Sequence, residues 1–212
     1  MEQASPHAGG RLRIAHRGAP RASRSRENTR LAFERARAAG YTHVETDLRL
    51  DRNRCLRLAH YARQLPRAAS LEDCWPVLRE FAWINLELKE PDVAEALARW
   101  LEREAPSDDL RQRIVISAFD FGTLALAREL LPWARLAVLF PWDATELSWP
   151  EGLRPESIHL AKELAANLEG KPARFGQRPV YAFTVNDERW WHRMPNWVEG
   201  VFTDSLPPLS RH

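Results

Sequence analysis

Eight short apolar runs, each leading into residues at helical spacing, recur from one end of the chain to the other: 11–16, 43–50, 82–89, 113–119, 135–140, 157–160, 180–185 and 200–203. Strand and helix in alternation point to β-α units and a parallel sheet. Eight such units are the count of a closed (β/α)8 barrel, and 212 residues lie near the lower end, roughly 200, at which that barrel closes. A doubly wound open sheet is the alternative. It usually carries a glycine-rich first β-α turn, whereas this chain has His16-Arg17-Gly18 and an arginine-rich loop. The expectation is an α/β chain with one single-domain (β/α)8 TIM barrel over 11–212, after a flexible leader over 1–10.

Helix ends are legible too. Asn28 and Thr29 open a segment with Leu31, Ala32, Ala36 and Ala39 on one face, and Gly40 supplies a stop. Ser70 caps a segment carrying Leu71, Trp75 and Leu78, although Pro76 interrupts its middle. Val93, Leu97, Trp100 and Leu101 mark a third helix, Phe121, Leu124, Leu130 and Leu131 a fourth, and 187–194 a short late one. After the second strand the turn 51–54 leads into 55–60. An antiparallel arm there, a short hairpin after strand 2, brings His60 back over the barrel mouth.

Composition removes several classes. With 31 basic against 29 acidic residues the net charge is +2, and no run of like charges suggests a nucleic-acid partner. No stretch of 18 apolar residues occurs and the first ten residues hold no apolar signal core, so a soluble, cytoplasmic protein without stable membrane insertion is expected. Cys55 and Cys74 lack disulfide or metal spacing and read as reduced, buried thiols. Trp190 and Trp191 read as a helix-barrel contact, and His7, His43, His159 and His212 have no evident partner.

Parallel barrel strands rarely tolerate charge on either face. Yet Glu45 and Asp47 share one face of the second strand, and Asn85, Glu87 and Lys89 share one face of the third. Three carboxylates converging on a barrel mouth repel unless a cation neutralises them, and all-oxygen ligation suits Mg²⁺ or Ca²⁺. Glu45, Asp47 and Glu87 are therefore the candidate metal ligands. His16 ends the first strand and His60 ends the return arm, which makes them the candidate general acid-base pair. Arg17 and Lys89, the latter one of only three lysines, are placed to hold an anion, phosphate being the natural one.

These residues, with Ile14-Ala-His-Arg-Gly18, Glu27-Asn-Thr29, Ala32-Phe-Glu-Arg-Ala36, Gly40, Val44-Glu-Thr-Asp-Leu-Arg49, Leu86-Glu-Leu-Lys89, Ser117 to Asp120, Ala182-Phe-Thr-Val-Asn186 and Gly200-Val-Phe-Thr-Asp204, form an ordered set. The set resembles the glycerophosphodiester phosphodiesterase family. The resemblance implies a metal-dependent TIM-barrel hydrolase that cleaves a small-molecule glycerophosphodiester to glycerol 3-phosphate and an alcohol. It implies metal ligation by Glu45, Asp47 and Glu87, acid-base roles for His16 and His60, and phosphate contact by Arg17 and Lys89. Glu27, Asn28, Phe183 and Asn186 fall in its motifs as supporting residues.

The chain departs from the family pattern in three places. Tyr61 stands where an aspartate commonly follows the second histidine, so an orienting hydrogen bond from that aspartate is absent. Only about nine residues separate His60 from Ser70, where the family carries a long covering insertion. Phe183 replaces a common tryptophan and keeps an aromatic wall. The trimmed insertion also fits barrel phospholipases of the sphingomyelinase D type, which release a cyclic phosphate. A catalytically silent barrel that binds phospho-headgroups is a further alternative.

Overall fold

The computed structural model describes residues 10–19 and 27–205. The leader assigned to 1–10, apart from Gly10, lies outside the described residues, as do His7 and His212.

Eight parallel strands close into a barrel: β1 (Leu12–His16), β2 (His43–Leu50), β4 (Trp83–Leu88), β5 (Ile114–Ala118), β6 (Arg135–Phe140), β7 (Ser157–Ala161), β8 (Val180–Phe183) and β9 (Gly200–Thr203). The sheet runs β1-β9-β8-β7-β6-β5-β4-β2, and β1 pairs with β2 to complete the ring. The ninth strand, β3 (Leu56–Leu58), is the expected arm; it lies antiparallel on the overhanging end of β2, with Leu48 opposite Leu58 and Leu50 opposite Leu56. Its register delivers His60 to the barrel mouth.

Helices α1 (Arg30–Ala38), α2 (Leu71–Leu78), α3 (Pro91–Glu104), α4 (Asp108–Arg113), α5 (Phe121–Leu130), α6 (Lys162–Asn167) and α7 (Glu188–Arg193) lie between the strands. Thr29, Ser70, Asp120 and Asp187 cap α1, α2, α5 and α7 by accepting from backbone N–H groups that a helix start leaves unpaired. Pro76 stays inside α2, at the loss of one helical N–H donor. Gly40, at φ +85°, ends α1 in the left-handed conformation that needs no Cβ.

Three sequence readings are corrected. Leu31 does not share a buried face with Ala32 and Ala36: it is 49% exposed, and fully buried Phe33 completes the stripe instead. Leu130, on the last turn of α5, is likewise exposed. Cys55 is an exposed thiol because it begins the return arm on the solvent side, whereas Cys74 is buried on α2 as expected.

The larger core packs helices onto the outside of the sheet. A smaller cluster of Ile14, Trp83, Val115, Ala137 and Phe202 plugs the barrel below the mouth. Trp190 and Trp191 pack against the larger core; Arg193 and Lys162 lie over Trp190, and Arg11 and Arg13 over Trp191. Among the described residues no helix is long and apolar enough to cross a membrane.

Candidate active site

The strand ends at the mouth gather the polar side chains, as barrel geometry requires of residues that follow parallel strands. His16, Arg17, Glu45, His60, Glu87 and Lys89 share one pocket, with Phe119, Leu139, Phe183 and Phe202 among its apolar lining. The turn after β1 is tight: Arg17, Gly18 and Ala19 all have positive φ. A Cβ on Gly18 would come within 2.7 Å of the Ala32 Cβ on α1, so the turn lies directly on that helix and only glycine fits. The same turn aims the Arg17 backbone N–H at Glu45 Oε2, 3.0 Å away.

The register opposes Glu45 to Asn85 and Asp47 to Glu87 across β2 and β4. Carboxylate oxygens of Glu45, Asp47 and Glu87 lie within 4.8 Å of one another, all three residues being buried. Asp47 is the most heavily partnered. Lys89 Nζ lies 2.8 Å from Oδ1, Arg17 Nε 2.9 Å from Oδ2, and Asn28 Nδ2 donates to Oδ2 at 2.9 Å. Lys89 also bridges to Glu87. Burial pushes the Asp47 carboxyl up, but His60, Lys89 and Arg17 outweigh it and hold it well below the usual range. Glu45 goes the other way: burial, then the neighbouring Asp47 charge, push its carboxyl up to about 8. Its Oε1 is buried and, among the described residues, accepts no hydrogen bond.

Glu27, Glu45, Asp47 and Glu87 face two obligate cations, Arg17 and Lys89, through contacts of the same network. Fully ionised, the four carboxylates would exceed the two cations by two charges, a repulsion that shows in the raised Glu45 carboxyl and that a bound cation would relieve. An orphaned carboxylate oxygen, three convergent hard oxygen donors and that excess together fit one divalent cation of the Mg²⁺ or Ca²⁺ kind.

Each histidine is held by one ring nitrogen. His16 Nδ1 sits 2.7 Å from Asp204 Oδ1, and its Nε2 lies 3.8 Å from Glu45. Burial pushes His16 down, but Glu45 and Asp204 outweigh it and leave its pKa raised. His60 Nδ1 lies 3.0 Å from Asp47 Oδ1 and 2.8 Å from Arg17 Nη2. One nitrogen cannot donate to the first and accept from the second at once. Arg17 already has Glu27 and Asp47, so the N–H form donating to the Asp47 carboxylate is the better satisfied and leaves Nε2 as the free acceptor. With tyrosine at position 61, the side chain that holds the His60 ring is Asp47, and the Tyr61 ring meets His60 edge-on with centroids 4.3 Å apart.

The polar supporting residues, Glu27, Asn28 and Asn186, join this network. Glu27 takes Arg17 at 3.1 Å and Gln64 at 2.7 Å, the latter from the short 3-10 helix Ala62–Arg67 that fills the shortened loop. Asn28, at φ +55°, also accepts from Thr46. Asn186 clamps Asp204, donating to its carboxylate and accepting its backbone N–H, both at 2.8 Å. Phe183 keeps the aromatic wall, with Phe119 edge-on at 5.8 Å.

Sequence reasoning assigned no role to Asp204, Gln64, Asn85 or His159. Asp204 carried a readable signal, a charged residue directly after the last barrel strand. Gln64 carried none, since its partner lies 37 residues away.

No family model matches the chain. A glycerophosphodiester phosphodiesterase of Bacillus altitudinis is 26% identical to it, over 84% of this chain and 89% of its own length. In sequence and in fold the chain resembles the glycerophosphodiester phosphodiesterases. The crystal structure of that enzyme from Thermotoga maritima matches with a TM-score of 0.73 and 22% identity, over 95% of this chain and 97% of that one. An Oleispira antarctica phosphodiesterase, solved in complex with its product sn-glycerol-3-phosphate, matches with a TM-score of 0.68 and 22% identity, over 91% and 92%. At that identity the structural likenesses establish the closed barrel.

Proposed function

We propose that the chain is a metal-dependent phosphodiesterase that hydrolyses glycerophosphodiesters to glycerol 3-phosphate and an alcohol. The observation that carries this reading is one pocket at the strand C-termini lined by two histidines, Glu45, Glu87 and two cations, with the third carboxylate, Asp47, buried directly against them. Support also comes from the name of the Bacillus altitudinis relative and from the product held by the Oleispira antarctica enzyme.

Glu45, Asp47 and Glu87 would hold the divalent cation, Mg²⁺ or Ca²⁺, which when bound supplies Lewis-acid polarisation of a phosphoryl oxygen. Lys89 and Arg17 draw the phosphate to the same wall and oppose charge on its non-bridging oxygens. His16, whose pKa Glu45 and Asp204 raise against the effect of burial, gives a proton through Nε2 to the departing alkoxide. His60, with Nδ1–H on Asp47, takes the proton of the attacking hydroxyl or water through its own Nε2. The intact network argues against a silent headgroup-binding barrel, which would have no use for two oriented imidazoles. The proposed setting is the cytoplasm, in keeping with two free thiols.

The test is turnover of glycerophosphocholine followed by phosphorus NMR, with and without Mg²⁺ or Ca²⁺. Cation-dependent glycerol 3-phosphate is expected. A cyclic phosphate as the final product would move the chain to the sphingomyelinase D type, and no turnover with either cation would overturn the reading.

A further inference from the structure

Two buried polar side chains that line the pocket, Asn85 and His159, are given no part in that mechanism. Asn85 lies on β4, one pleat below Glu87 on the same face, and His159 lies on β7, three strands further round. Both line the catalytic pocket and both are only 1% exposed. Asn85 Oδ1 and His159 Nδ1 are buried and, among the described residues, hydrogen-bonded to nothing. Buried polar atoms of this kind are rare because each forfeits its bond to water, so an unmet pair in one pocket marks where a ligand or a trapped water completes the bonding.

The chemistry of the pair narrows the ligand. His159 is fixed in place: its Nε2 lies 3.1 Å from Ser157 Oγ, and its ring is hemmed by Phe202 and Tyr181 at centroid distances of 4.9 and 5.6 Å. Burial pushes its pKa down to about 3, so the imidazole is neutral. Its Nδ1 therefore donates or accepts according to which partner of the Ser157 bond supplies the hydrogen. Asn85 Oδ1 accepts. An acceptor and a group that can do either, facing one pocket, are both satisfied by hydroxyls, which donate and accept. Leu139, Phe183 and Phe202 offer the carbon skeleton an apolar surround.

We propose that Asn85 and His159 form a hydroxyl-reading floor, which selects phosphate esters of a short polyol over esters lacking the free hydroxyls. The inference rests on the phosphodiesterase reading for its phosphate anchor above the floor, but it concerns recognition and is tested by binding. Calorimetric titration, with Mg²⁺ present, compares glycerol 3-phosphate with propyl phosphate, which has the same carbon chain and phosphate without the hydroxyls. The wild-type protein is expected to bind glycerol 3-phosphate at least about tenfold more tightly, since a site built to pair a hydroxyl discriminates against its absence. In Asn85→Leu and His159→Phe that ratio is expected to fall to within about twofold of unity. Where an apolar variant does not fold, the smaller polar changes Asn85→Ser and His159→Asn serve, with a ratio reduced at least about threefold.

Equal affinities in the wild type, or a wild-type ratio in the folded variants, would overturn the proposal and leave the floor as a water site. Failure of the phosphodiesterase reading shows separately, as absence of turnover.

Discussion

Lowering the pH should destabilise the protein through His159 in a way that a single substitution removes. The imidazole is enclosed by the barrel, and burial holds its pKa at about 3 against an ordinary 6.5. Between those values the unfolded chain binds a proton that the folded chain refuses. The stability contributed by the neutral, buried ring is therefore complete above pH 6.5 and is lost as pH falls toward the folded value. At about pH 5 the loss is 1.5 pH units at roughly 1.36 kcal/mol each, or about 2 kcal/mol. The figure at that pH is insensitive to the folded value so long as it stays below about 4.

Urea unfolding of the wild type and of His159→Asn at about pH 7.5 and about pH 5, with chelator present, gives four unfolding free energies. Their double difference isolates His159, because other titrating groups, including half-buried His43 with its pKa near 4, are common to both proteins. A double difference of about 2 kcal/mol is expected. The same pH dependence in both proteins would show that His159 is charged or hydrated in the fold, and would refute the argument from burial.

Other consequences are local to named contacts. His16→Ala and His60→Ala should each lower turnover at least about a hundredfold in steady-state assays, the usual scale for a proton-transferring group; full activity in His16→Ala would overturn the proton scheme. Asp204→Asn should lower kcat at least about tenfold with little change in KM. It should also move to lower pH the limb on which activity falls as His16 loses its proton, because the Asp204 carboxylate raises that pKa; an unmoved limb would remove Asp204 from this positioning role. Ser70→Ala deletes the acceptor of the Asp73 N–H at the start of α2 and should cost about 1 kcal/mol in unfolding experiments.

The barrel was readable from the sequence because each strand announces itself twice, by an apolar run and by the helical spacing that follows. The hairpin arm was readable for the same reason, the turn at 51–54 being flanked by two apolar stretches. Glu45, Asp47 and Glu87 stood out because charge on an inward strand face needs a partner. What stayed hidden depends on contacts between distant segments. Nothing local says that Asp47, already a candidate ligand, also orients His60 where Tyr61 cannot. Nothing local separates His159, deep in the pocket, from a packing histidine, because its alternating neighbours Ile158 and Leu160 read as ordinary core. Leu31 misled for the opposite reason: an apolar residue at helical spacing need not face inward when a larger neighbour, Phe33, fills the space.

Three carboxylates crowd together at the barrel mouth, and cation binding tests directly what they hold. Calorimetric titration of Mg²⁺ and of Ca²⁺ into the wild-type protein, Glu45→Gln and Glu87→Gln is the decisive experiment. One cation per chain is predicted in the wild type, with affinity reduced at least about tenfold in either variant, as loss of one carboxylate from a hard-cation site requires. Binding to both variants with wild-type affinity would contradict the assignment of Glu45, Asp47 and Glu87 as the site.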